Sequence, residues 1–111
     1  MGNCIFCKIL GGDIPSERVY EDDDCIIIND IAPKAKLHYL MIPKEHYPLL
    51  DDLDEKRAAT LARMLLKLKE LRPILHLEEG YRLIVNQGEY AGQTVPHLHI
   101  HILGGEPLPF E

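Results

Sequence analysis

Three histidines crowd one short stretch of the chain, His97, His99 and His101, alternating with Leu98, Ile100 and Ile102. Imidazole titrates near neutral pH, so it serves as base, acid, nucleophile or metal ligand. Strict alternation with aliphatic residues reads as a β-strand, whose alternate side chains share one face about 6–7 Å apart while the others enter the core. The wet face of an antiparallel strand accounts for one histidine but poorly for three in five residues. His38, on an earlier strand-like run, is a fourth candidate. Just ahead of the row, Gly88, Gly92, Gln93 and Thr94 offer backbone N–H groups, an amide and a hydroxyl, the donors that an anionic phosphate oxygen needs. The same loop also suits a plain hairpin connection, so it counts only beside the histidines.

A second group is the CxxC formed by Cys4 and Cys7. With three cysteines in the chain, an odd number, it fits a metal or redox site in a reducing compartment better than a disulfide framework. A thioredoxin-like pair belongs beside a βαβ pattern, and no strand precedes this one. Zinc is the stronger reading, and a zinc site within the histidine row is a further alternative. Cys25, heading an Ile-Ile-Ile run, reads as a small buried hydrophobe, and His76 as a solvated or helix-end residue.

The elements that must position these groups follow from periodicity and punctuation. Residues 4–10 suggest one or two helical turns closed by Gly11 and Gly12. Strand-like runs at 16–20, 25–29 and 37–42 are separated by Asp22-Asp23-Asp24 and Ala32-Pro33. A long helix should begin near Asp52 or Asp54, with Leu61, Met64, Leu65, Leu68, Leu71 and Leu75 as its core stripe. Pro73 should stop or kink it around Leu71 or Arg72, with Gly80 ending the segment; Leu66 lies off the stripe. Strands at 81–86 and 96–103 follow, joined by the loop 88–95. No βαβα alternation appears, so the expected class is α+β: an antiparallel sheet, one long helix and a short N-terminal helix.

Length and composition bound the rest. At 111 residues, 46% hydrophobic and 27% charged, the chain suits one globular domain spanning 1–111. Twelve basic against eighteen acidic residues give a net charge of −6, without the basic footprint of sequence-independent nucleic-acid binding. The apolar run 25–28 is far too short to span a membrane. The start, MGNCIF, carries neither a secretory nor a myristoylation signal, so the expected compartment is the cytoplasm.

The stretch HLHIHIL at 97–103 resembles the His-φ-His-φ-His-φ-φ motif of the histidine-triad superfamily. Further segments are similar in the same order: CIFCKILGGDIPS at 4–16, NDIAP at 29–33, LHYLMIPKEH at 37–46, GYRLIVNQG at 80–88 and AGQTVPHLH at 91–99. Gly104-Gly105, directly after the triad, resembles the purine-nucleoside phosphoramidase branch more than the diadenosine polyphosphate hydrolase branch. The resemblance implies a five-stranded sheet and assigns roles. His99 would attack the α-phosphorus to form a nucleotidyl-histidine, later cleaved by water. His101 would contact phosphate and leaving group, and His38 and His97 would orient the nucleophile and relay protons. Asn86, Gly92 and Thr94, with Gln93 beside them, would meet phosphate; Asp30 would bind ribose hydroxyls; Ile28 and Ile31 would lie near the base. A P–N bond breaks readily once its nitrogen is protonated, which calls for a neutral imidazole to attack and an imidazolium to donate.

Metal-containing members of the superfamily, including the galactose-1-phosphate uridylyltransferases, imply a zinc site in which Cys4 and Cys7 are joined by His46 and His97. Four protein ligands make such an ion structural, and the proton relay then falls to His38 and His101. A homodimer pairing the long helix and one sheet edge is also implied, with the tail 106–111 reaching the neighbouring site. The expected substrate is a purine nucleoside phosphoramidate of the AMP type. The alternatives are a dinucleoside polyphosphate hydrolase and a non-catalytic nucleotide- or zinc-binding module.

Overall fold

The computed structural model describes residues 3–109. Its centre is a five-stranded antiparallel sheet of order β1-β2-β3-β5-β4, formed by β1 (Arg18–Glu21), β2 (Cys25–Asn29), β3 (Leu37–Pro43), β4 (Tyr81–Ile84) and β5 (Ile100–Gly104). The short helix α1 (Ile5–Leu10) precedes the sheet, and the long helix α2 (Glu55–Leu71) separates β3 from β4. This is the expected α+β class.

Strand periodicity divides the side chains between two faces. On one, Cys25, Ile27, Tyr39, Met41, Ile100 and Ile102 pack with Met64, Leu68 and Leu71 of α2 and with Leu75 and Leu77 beyond it. The Tyr39 hydroxyl, buried there, donates to the Leu75 carbonyl at 2.9 Å. On the other face, Ile26, Ile28, Leu40 and Ile42 pack with Phe6 and Ile9 of α1. The shorter helix leaves part of that face uncovered, and His38 and His101 share it.

The ends of α2 follow local chemistry. Asp54 caps its N-terminus, accepting from the Arg57 amide at 2.8 Å, which satisfies one of the helix's orphan donors. The helix ends at Leu71, two residues before Pro73, and His76 sits beyond it at φ 61, an exposed helix-end residue as expected. Leu65 departs from the expected stripe: it is 43% exposed, as is Leu66 at 60%. Gly104 has a steric reason to lack a side chain, since a Cβ there would come within 2.8 Å of Leu77 Cδ2.

Two strand expectations need correction. The run 96–103 becomes a strand only at Ile100, so His97 and His99 precede it; β4 ends at Ile84, leaving Asn86 in the following loop. The expected tail 106–111 is described only through 109, and residues 110–111, like the first two of the MGNCIF start, lie outside the described residues.

Candidate active site and cysteine–histidine cluster

The histidine row does not stay on one face. Before β5 the backbone bends: the His97 amide donates to Val95 O at 2.8 Å and the Leu98 amide to Tyr47 O at 2.7 Å, instead of joining a ladder. The bend sends His97 toward the CxxC, while His99 and His101 remain neighbours with ring centroids 5.0 Å apart. None of this is a wet surface: His97 is wholly buried, and His99 and His38 are 8% and 5% exposed.

Hydrogen bonds to the main chain set which nitrogen of each imidazole carries the proton. His99 Nδ1–H donates to the His97 carbonyl at 2.8 Å, leaving Nε2 with a free lone pair. The Lys34 amide donates to His38 Nδ1 at 3.0 Å, so His38 carries its proton on Nε2, which lies 2.9 Å from His101 Nδ1 and 3.3 Å from Asp30 Oδ2. His101 Nδ1 is thereby an acceptor, and its Nε2 bears the proton. Asp30 is itself fixed, its amide donating to the His38 carbonyl and its Oδ1 accepting from Ala32 N at 2.8 Å. The result pairs an unprotonated nitrogen on His99 with a proton donor on His101.

Burial pushes His38 down from the usual imidazole range, partly offset by Asp30. His101 is pushed down to about 4, first by burial and then by His99 and His38. At neutral pH His101 is therefore a neutral N–H donor, not the imidazolium expected from the sequence; an incoming phosphoryl anion would favour the charged form. A cavity of about 270 Å³ opens beside it, lined by Asp30, Lys34, His38, Ile84, Asn86, His101 and Leu103. A larger cleft of about 630 Å³ lies at the opposite end of β4, between Tyr81 and residues 105–108, away from the triad.

The loop 88–95 is shaped by its glycines, Gly88 and Gly92, at φ 88 and 84, a region that side chains disfavour. Gln93 is not a free donor. Its Oε1 accepts from Gly88 N at 2.8 Å and its Nε2 donates to Pro48 O at 2.8 Å and Val95 O at 3.3 Å, so the amide holds the loop's shape. Ile28 is buried in the core on the α1 side, whereas Ile31 stands 99% exposed next to Asp30.

Cys4, Cys7, His46 and His97 converge so that their ligand atoms all lie within 4.8 Å of one another. His46 Nδ1 is 3.2 Å from His97 Nδ1, His97 Nδ1 is 3.4 Å from Cys4 Sγ and 3.7 Å from Cys7 Sγ, and His46 Nδ1 is 3.3 Å from Cys7 Sγ. Tetrahedral zinc, with ligand distances of about 2.0–2.3 Å, requires edges of about 3.3–3.8 Å. His97 Nε2–H donates to the Pro43 carbonyl at 2.8 Å, which turns the Nδ1 lone pair toward the cluster, as in many metal-binding histidines. The donor set fits a metal. Asp30, His38 and His101 also converge, but the Lys34 amide keeps a proton on His38 Nε2 where a metal would need a lone pair.

Phe6 is a residue that the sequence reading missed. It is 6% exposed, lies between the two cysteines in sequence, and meets His97 and His99 with ring centroids at 5.8 and 5.0 Å. Its position inside CIFC was the available signal.

Comparison with known proteins agrees with this geometry. The HIT domain model matches residues 11–108. Protein HitA of Neisseria gonorrhoeae is 43% identical over 104 residues, covering 94% of this chain and 97% of its own. A HIT family hydrolase from Clostridium thermocellum superposes with a TM-score of 0.93 at 43% identity, over 100% of this chain and 97% of its own. A histidine triad nucleotide-binding protein from Candida albicans superposes at 0.80 with 34% identity, over 98% and 85% of the two chains. The chain belongs to the HIT domain family.

Proposed function

We propose that the protein is a nucleotide-binding hydrolase that cleaves purine nucleoside phosphoramidates of the adenosine 5′-monophosphoramidate type through a nucleotidyl group on His99. The hydrogen bond from His99 Nδ1–H to the His97 carbonyl carries this reading, because it frees Nε2 for in-line attack. The relatives described as a hydrolase and as a nucleotide-binding protein support its coarser half. Attack by Nε2 forms the P–N(His99) bond as the substrate P–N bond breaks, and His101, charged by the bound phosphoryl anion, gives its Nε2 proton to the leaving nitrogen and becomes a neutral imidazole. Water then cleaves the nucleotidyl-histidine, its oxygen going to phosphorus and its proton back to His101. Asp30 holds ribose hydroxyls, and Ile28 and Ile31 flank the base. Asn86 and Thr94 donate to phosphate, Gly92 permits its close approach, and Gln93 shapes their loop.

Lys34 beside His101 favours a second reading, in which the leaving group is itself a phosphate, as in dinucleoside polyphosphates. Phosphorus NMR of adenosine 5′-phosphoramidate and of a dinucleoside polyphosphate, with wild type and His99→Ala, separates the two. AMP released from the phosphoramidate by the wild type alone is the expected result. Nucleotide binding without turnover of either substrate would leave a binding module instead.

The cluster of Cys4, Cys7, His46 and His97 is read as a structural zinc site, and metal analysis of protein purified without chelator should return about one zinc per chain. Absence of stoichiometric zinc before and after refolding with the ion would remove it. Exposed Leu65 and Leu66 on α2 and Leu83 on the edge strand β4 support a homodimer. Residues 1–111 are taken as one domain, and three free thiols suit the cytoplasm.

A further inference from the structure

We propose that the cysteine–histidine cluster positions the nucleophile: an ion held by His97 fixes the carbonyl that accepts His99 Nδ1–H, and Phe6 walls the His99 ring. This inference rests on the readings of His99 as nucleophile and of the cluster as a zinc site.

His97 precedes β5, so no ladder hydrogen bond dictates where its carbonyl points. The peptide that carries it is held by the Leu98 amide on the carbonyl of Tyr47, the neighbour of His46, and the His97 side chain by Nε2–H on Pro43 O and by Nδ1 in the cluster. That same residue's carbonyl decides which nitrogen of His99 is protonated. A metal ligand and the acceptor that sets the nucleophile's tautomer are thus two ends of one residue.

The second link runs through α1. Cys4 and Cys7 bracket Phe6, whose ring meets His97 at 83° and His99 at 75°, an edge contact with each imidazole. A six-residue helix is too short to hold its own shape in water, so the position of Phe6 depends on its packing and on the two thiols. Ligation of both thiols anchors the helix, and the anchored helix confines the His99 ring. Phe6 is a positioning residue, because it acts through His99. The cavity residues Asp30 and Asn86 belong to other segments of the chain.

The test uses full-length protein with 15N-labelled histidine at constant pH, as loaded wild type, chelator-depleted wild type, depleted protein resupplied with zinc, and zinc-loaded Phe6→Ala and Phe6→Leu. Two-bond 1H–15N correlations read the His99 tautomer, and single-turnover rates are taken with saturating adenosine 5′-phosphoramidate. Loaded wild type should show Nδ1–H alone. Depletion should mix the tautomers and slow turnover about tenfold or more, reversed by zinc. Phe6→Ala should do the same with zinc content unchanged, and Phe6→Leu should recover most of the rate. If depletion unfolds the chain, the Phe6 pair decides, since both variants keep all four ligands. Depleted protein and Phe6→Ala that keep a single Nδ1–H tautomer and the full rate would overturn the inference alone. Failure to bind zinc would overturn it together with the zinc reading. Turnover surviving in His99→Ala would overturn it together with the nucleophile assignment.

Discussion

His38 and His101 illustrate how much of a site's chemistry lies in single hydrogen bonds. The residue types are plain in the sequence, but the proton positions are not, because they depend on the Lys34 amide and the His97 carbonyl, main-chain groups that no motif names. Burial lowers both His38 and His101, so the folded state binds their protons more weakly than the unfolded chain does. The contribution of His101 to stability is present above the ordinary histidine range near pH 6.5 and is lost as pH falls from there toward about 4, and that of His38 falls in the same direction. Urea melts across that window should show falling stability in wild type and a shallower fall in His101→Gln; identical slopes would refute the assignment. The loop offers another contrast. Gln93→Ala removes an amide with three hydrogen-bonding contacts and should cost about 1–3 kcal/mol by denaturant unfolding. Thr94→Ala, whose exposed hydroxyl supports no such contact among the described residues, should leave stability nearly unchanged while slowing turnover.

At the scale of elements, the sequence was most informative where local chemistry and packing agree. β2 falls at 25–29 as read, and α2 starts and stops where Asp54 and Pro73 suggest. The run 96–103 misled because alternation of side chains persisted through a bend whose amides bond elsewhere, to Val95 and Tyr47. Periodicity reports which side chains are apolar, not where backbone donors go. Leu65 misled because helical spacing places it at the margin of the buried stripe, where it stays 43% exposed. Asp54→Ala should lower the urea midpoint by removing the N-cap, with the slope of the transition unchanged. A changed slope would mean that the helix end also limits the compactness of the unfolded or folded state.

Across the whole molecule, the sheet separates two tasks. Its α2 face carries the larger of the two buried clusters, and its α1 face carries the imidazoles and the cavity. Among the described residues no helix is long and apolar enough to cross a membrane. Leu66, exposed on α2, would be covered in the proposed dimer, so light scattering should give twice the chain mass for wild type and a shift toward monomer for Leu66→Glu. A monomeric wild type at micromolar concentration would remove the dimer.

The division between faces also governs how the gene can change length. In β3, His38, Leu40 and Ile42 face one way and Tyr39 and Met41 the other, so deleting or inserting one codon inside that strand exchanges the two sets. An imidazole would enter the oily layer beneath α2, and Leu37 or Tyr39 would take its place at the cavity. Codons gained or lost between strands, away from segments that carry His46 or the buried Leu75 and Leu77, do not reverse the two faces. Length variation among descendants of this chain should therefore collect in the connections, while the odd-even order along β3 is inherited intact.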